Sequence, residues 1–154
     1  MKCRVVFVGA TNGLHSPMAE AMLRWLDSEH FEARSAGTIC GELHPLAVQV
    51  LKEIGIDLGQ ALPKSVQQLP DEEFDYVITL GERAPSYDRI FASAQIIHWK
   101  FENADAPDDA DKQLRRFRML RDQILQRLRL FVLVHVRPRT TSESATRSTV
   151  ATAR

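Results

Sequence analysis

Apolar and polar positions along this chain fall into short alternating blocks. Val5-Val6-Phe7-Val8 is a continuous run rich in β-branched residues, the pattern of a strand buried on both faces. It halts at Gly9-Ala10-Thr11-Asn12-Gly13, where two glycines and an asparagine permit unusual backbone angles. Ser16 then reads as an N-cap, Pro17 as the first helical residue and Glu20 as a first-turn acid. Met18, Met22, Trp25 and Leu26 recur at helical spacing as the core-facing set of that helix. Residues 32–36 predict a second strand ended by Gly37. His44-Pro45 opens a second helix that turns Ala47, Val50, Leu51 and Ile54 inward and stops at Gly55. The mixed stretch 57–75 predicts a short helix near 66–69, and Tyr76–Leu80 and Gln95–Trp99 are the third and fourth strands. A last helix is predicted from about 110 to 131, with Leu114, Phe117, Leu120, Ile124, Leu128 and Phe131 in one stripe. Its other face, with Arg115, Arg118, Asp122 and Arg129, reads as solvated.

Strands alternating with helices predict an α/β fold with a parallel sheet and right-handed crossovers. Ligands of such sheets sit beyond the carboxyl ends of the strands, where the winding direction switches. That puts the site at loop 9–16, with the loop after the third strand, 81–88, opposite or beside it. Residues 1–136 suffice for one domain. Residues 137–154 differ: eight of the last sixteen residues are Ser or Thr, and a disordered Ser/Thr/Arg-rich tail is expected. Between them, the run 130–136 is unusually apolar for a helix exit; it packs on the body, or it is a partner-binding or aggregation-prone segment.

Twenty basic and twenty acidic residues cancel, which argues against the basic footprint of a nucleic-acid or membrane-surface protein. No apolar stretch approaches the roughly 20 residues of a membrane span, and the first apolar run meets a turn rather than a cleavage site, so it reads as a strand and not a signal peptide. Two cysteines, Cys3 and Cys40, are too few for a disulfide framework or a zinc cluster, so a reduced, cytoplasmic setting is the default. His44 and His98 have no second ligand at i+3 or i+4, and no metal or cofactor is expected.

Loop 9–16 has the parts of an anion cradle: successive backbone N–H groups around a tight turn, running into a helix N-terminus. It is not a nucleotide P-loop, because Leu14-His15 stand where Gly-Lys should, and not a dinucleotide turn, because Thr11 takes the second glycine's place. The candidate oxyanion-binding groups are the backbone of Gly9, Ala10, Thr11, Asn12, Gly13, Leu14 and His15, together with the Ser16 hydroxyl.

VVFVGATNGLHSPMAEAMLR, FEARSAGT, HPLAVQVLKEIGIDL, KSVQQL, FDYVITLGERA, IIHWKF and FRMLRDQI, in that order, resemble the low-molecular-weight protein tyrosine phosphatase family, specifically its arsenate reductase branch. The likeness covers residues 4 to about 131. It implies a four-stranded parallel sheet flanked by helices, wound as in flavodoxin, and a monomer, although the apolar exit segment could support a dimer. The family's loop carries C-x5-R-[ST], with a thiolate nucleophile and an arginine that clamps the oxyanion. Here Gly9 stands at the Cys position and His15 at the Arg position, whereas Asn12 and Ser16 match the family's loop-shaping Asn and its hydroxyl. The two further cysteines of the family's reductases correspond to Gly81 and Asp88. Aligned without a gap, the general-acid Asp-Pro corresponds to Asn103-Ala104; a local slip would bring Asp105, with Pro107 nearby, into reach as a candidate general acid. Neither cysteine replaces the nucleophile: Cys3 reads as a small buried hydrophobe, and Cys40 has no Arg six residues on.

Three readings follow. The first is a catalytically inactive member that binds phosphate, arsenate or sulfate in the loop, with His15 as a switchable charge whose pKa a bound anion would raise. Affinity would then grow as pH falls from about 7.5 to 5.5, unless the His15 ring points to solvent and takes no part. The second is an active arsenate reductase or phosphatase using Thr11, Ser16 or a water held by Asp105. The third is a ligand-free interaction module that presents the 130–136 run and the 137–154 tail to an unknown protein partner.

Overall fold

The computed structural model describes residues 2–59, 61–69, 73–80 and 91–136. Four strands, β1 (Cys3–Gly9), β2 (Phe31–Gly37), β3 (Tyr76–Leu80) and β4 (Gln95–Trp99), form one sheet in the order β2-β1-β3-β4. Every pairing is parallel, with Gly9 opposite Gly37, Val8 opposite Thr79 and Leu80 opposite Trp99. Three helices complete the described chain: α1 (His15–Asp27), α2 (Pro45–Lys52) and α3 (Ala110–His135). A single 3-10 turn, Val66–Gln68, precedes β3.

The central place of β1 explains its unbroken apolar run. Val5 and Phe7 face the larger core, with Met18, Met22, Val50, Leu51, Phe117, Ile124 and Leu128 from all three helices. Val6 and Val8 face a smaller core closed by Val66, Phe74 and Phe91. Burying each such side chain contributes about 1.5–3 kcal/mol, so β1 must be apolar on both faces. The chain leaves β1 for β2 on one side and returns to β3 on the other; the winding therefore switches between β1 and β3, and loop 9–16 opens there.

The elements differ from the sequence reading in four places. Leu14, not Ser16, is the N-cap of α1; Ser16 lies inside the helix, 1% exposed, its hydroxyl already engaged by Asn12. Glu20 consequently lies beyond the first turn, bonded to the Ser35 hydroxyl and to Arg24. Trp25 is 51% exposed, because the buried arc of α1 centres on Met18, Ala19, Met22 and Leu23 and leaves position 25 about a quarter-turn off its middle. Finally, α3 does not stop near 131 but continues to His135, absorbing the apolar run: Phe131 is buried against Phe31, Tyr76 and Trp99, while Leu130, Leu133 and Val134 are exposed. Gly55 ends the α2 region as expected, at φ +88°. The loop 81–88 and the tail 137–154 lie outside the described residues. Among the described residues, no helix is long and apolar enough to cross a membrane.

Candidate functional site

The loop between β1 and α1 owes its shape to contacts made on its outer side. The carbonyls of Gly9, Ala10, Thr11 and Gly13 accept from the backbone N–H groups of Thr38, Ile39, Gly41 and His44 at 2.8–3.0 Å. In a trans peptide the next residue's N–H points opposite to the carbonyl, so the amides of Ala10, Thr11, Asn12 and Leu14 turn to the inner side. Gly37 and Gly41 permit this close approach. A Cβ at either would stand 2.5 Å from an atom of Thr11.

Asn12 locks the turn. It adopts φ +63° and is 2% exposed. Its Nδ2 donates to Ser16 Oγ and Ser35 Oγ, each at 3.0 Å, and its Oδ1 accepts from the Lys64 backbone N–H at 2.9 Å. Asparagine tolerates this left-handed backbone while filling a buried polar slot. Leu14 gives α1 no side-chain cap, which leaves the helix N-terminus open toward the loop's hollow.

The hollow is a cleft of about 330 Å³ lined by residues 9–16 together with Glu42, His44, Asn103 and Asp105. All eight loop residues singled out from sequence thus come together, and so does Asp105. Its position follows from an Asx turn, in which the Asp105 N–H donates to Asn103 Oδ1 at 3.0 Å. Asp105 Oδ1 lies 2.8 Å from His44 Nε2 and accepts from Gln113 Nε2 at 3.3 Å. His44 is the N-cap of α2, and its Nδ1 accepts from the Leu46 N–H at 3.1 Å. That bond puts the ring proton on Nε2, so His44 donates to Asp105.

His15 is half-buried rather than turned out to solvent. Its ring lies nearly parallel to Phe101, centroids 6.4 Å apart, and burial holds its pKa below 6.5 despite a hydrogen bond to the Glu102 backbone. Among the described residues, its buried Nε2 has no hydrogen-bond partner. Gly9 is the reverse case of Gly37. A Cβ there would meet Ser16 Oγ at 3.3 Å and the Leu80 carbonyl at 3.8 Å, so the position accepts a side chain with little adjustment, yet presents none.

Sequence reasoning missed the role of His44, which it weighed only as a metal ligand and helix start, and the lining position Glu42; Asn103, aligned there with the family's general acid, does line the cleft. The His-Pro helix opening signalled the cap; nothing local signals a partner 61 residues away. Of the cysteines, Cys3 is half-buried with its thiol pushed up to about 11, chiefly by burial and secondarily by Asp75, and Cys40 is exposed. Gly81 and Asp88 lie outside the described residues.

Comparison with known proteins agrees with this architecture. A family model described as low molecular weight phosphotyrosine protein phosphatase matches residues 4–140. An arsenate reductase of Halalkalibacterium halodurans is 29% identical over 82% of this chain and 93% of its own length. A glutaredoxin arsenate reductase of Synechocystis is 25% identical over 81% and 92%. Among solved structures, one described as an arsenate reductase in the phosphate binding state superposes with a TM-score of 0.72 at 26% identity, covering 88% of this chain and 100% of that one.

Proposed function

This chain belongs to the low-molecular-weight phosphotyrosine protein phosphatase family, and within it we propose a member that binds a tetrahedral oxyanion, phosphate or arsenate, in loop 9–16 without the family's nucleophilic chemistry. The observation that carries this reading is Gly9. It stands at the loop position that faces the Ser16 hydroxyl, where a Cβ would need that hydroxyl to give by only a few tenths of an ångström, and it has no nucleophile to offer. The inward amides, the uncapped start of α1 and the cleft of about 330 Å³ supply the binding side of the reading. The phosphate-binding description of one arsenate reductase of similar fold supports the choice of ligand.

A second reading, an active arsenate reductase or phosphatase, draws on the names of the relatives and on Asp105 at the cleft. It requires a hydroxyl nucleophile with a base. Among the described residues, the recorded partner of Ser16 Oγ is the Asn12 amide, which cannot take a proton from it. The test is turnover of an aryl phosphate, and of arsenate with thiols, by the wild type and by the double variant Gly9→Cys/His15→Arg, alongside calorimetric titration with phosphate. Phosphate binding without turnover in the wild type, and hydrolysis gained by the double variant, is the expected result. Wild-type turnover that survives removal of contaminating activity would overturn the loss of chemistry.

A further inference from the structure

The charge inventory of the cleft is unusual for an anion site. Its floor offers backbone donors, but among the described residues no lysine or arginine lines it. Among the described residues, the charged and titratable groups facing it are His15 on the loop, Glu42 and His44 on the 38–44 side, and Asp105, with Glu102 nearby, on the far wall. Both carboxylate residues in that lining oppose a doubly charged ligand. His44 cannot compensate, since its one ring proton is directed to Asp105 and its Nδ1 is occupied by the Leu46 amide.

Two acceptors in the wall ask for hydrogens. Both side-chain hydrogen bonds of Asp105 fall on Oδ1, so Oδ2 is the oxygen available to a ligand. The Glu102 backbone beside His15 favours a ring proton, and Nε2 has no hydrogen-bond partner among the described residues, so a neutral ring with its proton on Nδ1 fits these surroundings. The neutral ring therefore keeps a lone pair on a buried Nε2. Turning the ring on Phe101 toward the cleft would satisfy that lone pair with a ligand O–H, never with a bare anionic oxygen.

We infer that the cleft selects a protonated oxyacid, one carrying hydroxyl hydrogens as well as acceptor oxygens, over a fully ionised oxyanion of the same shape. The loop amides take the ionised oxygens, and Asp105 takes a hydroxyl. Dihydrogen phosphate and dihydrogen arsenate qualify; sulfate, with the same tetrahedral outline and no hydrogen near neutrality, does not. The inference rests on the oxyanion-binding reading above but adds a charge state and a ligand class to it.

The experiment is calorimetric titration of the full chain with phosphate and with sulfate at about pH 6 and about pH 8, at fixed ionic strength, for wild type and Asp105→Asn. Phosphate is expected to bind severalfold tighter at the lower pH, up to about tenfold, and sulfate at least about tenfold weaker than phosphate there, a gap of about 1.4 kcal/mol. Asp105→Asn, which removes a charge and adds a donor, should strengthen sulfate and narrow the gap. Sulfate equal to phosphate at both pH values overturns the selectivity and leaves oxyanion binding standing. Selectivity unchanged in Asp105→Asn overturns the role of that carboxylate. No binding of either ion overturns both this inference and the reading it rests on.

Discussion

Replacing Asn12 by alanine should unfold the site before it touches any ligand. Three hydrogen bonds end on this side chain, to Ser16, Ser35 and the Lys64 amide, and the residue is 2% exposed. At about 0.5–1.5 kcal/mol each, their loss costs about 1.5–4.5 kcal/mol, the upper part of that range applying if the Lys64 N–H is left without an acceptor. Alanine must also hold φ +63°, a left-handed conformation that adds about 1–2 kcal/mol for a residue with a Cβ. The sum, about 2.5–6.5 kcal/mol, is a large share of the 5–15 kcal/mol typical of a domain. Asn12→Gly loses the same bonds but tolerates the backbone, so it should be milder by about 1 kcal/mol. Urea unfolding followed by fluorescence of the two tryptophans, Trp25 and Trp99, measures both variants. An Asn12→Ala loss below about 1 kcal/mol would refute the lock; Ala and Gly equal within error would refute the strain component alone.

Three further outcomes follow from the same structure. Alkylation of the native protein near pH 8 should label Cys40 and spare Cys3, whose thiol titrates near about 11; equal labelling rates would contradict the burial of Cys3. Because the folded pKa of His15 lies below 6.5, the unfolded chain binds the extra proton first, so its contribution is fully present above pH 6.5 and is lost as pH falls through the folded pKa. His15→Gln should remove that part of the acid slope in urea midpoints, and an unchanged slope would sink the assignment. Phe131→Ala should cost about 3–5 kcal/mol, whereas Leu133→Ala, two residues on but 75% exposed, should stay within about 0.5 kcal/mol; similar losses would mean that the end of α3 packs differently.

What the sequence made legible follows from how local each cause is. β1, its turn and the start of α1 were readable because burial on both faces, a left-handed asparagine and a proline each leave a mark within a few residues. Ser16 was misplaced as a cap for an instructive reason. Hydroxyls are favoured at caps because they bond nearby backbone, but this one is taken by Asn12, so the residue sits one turn-fraction deeper and Leu14 caps without a side-chain bond. The end of α3 was cut short because 130–136 is apolar all round and blurs the stripe, although Phe131 and His135 continue it on Tyr76. The far wall of the cleft was the least legible. His44 and Asp105 meet across the fold, and only tertiary packing brings them together.

The cleft also separates shape from chemistry. Its outline is held by loop carbonyls tied to the 38–44 segment, by the absence of a Cβ at Gly37 and Gly41, and by the Asn12 side chain. No part of that framework uses a side chain at position 9, and His15 adds only a ring laid on Phe101. Under the proposed reading, glycine and histidine at those two positions leave the hollow and its inward amides in place and change the charge it would tolerate. With an arginine in the cleft, the carboxylate of Asp105 would be balanced and a dianion welcome. With a buried imidazole whose pKa is lowered, Asp105 and Glu42 are the charged side chains lining the cleft among the described residues, and under the proposed reading a ligand would bring its own protons to sit beside them.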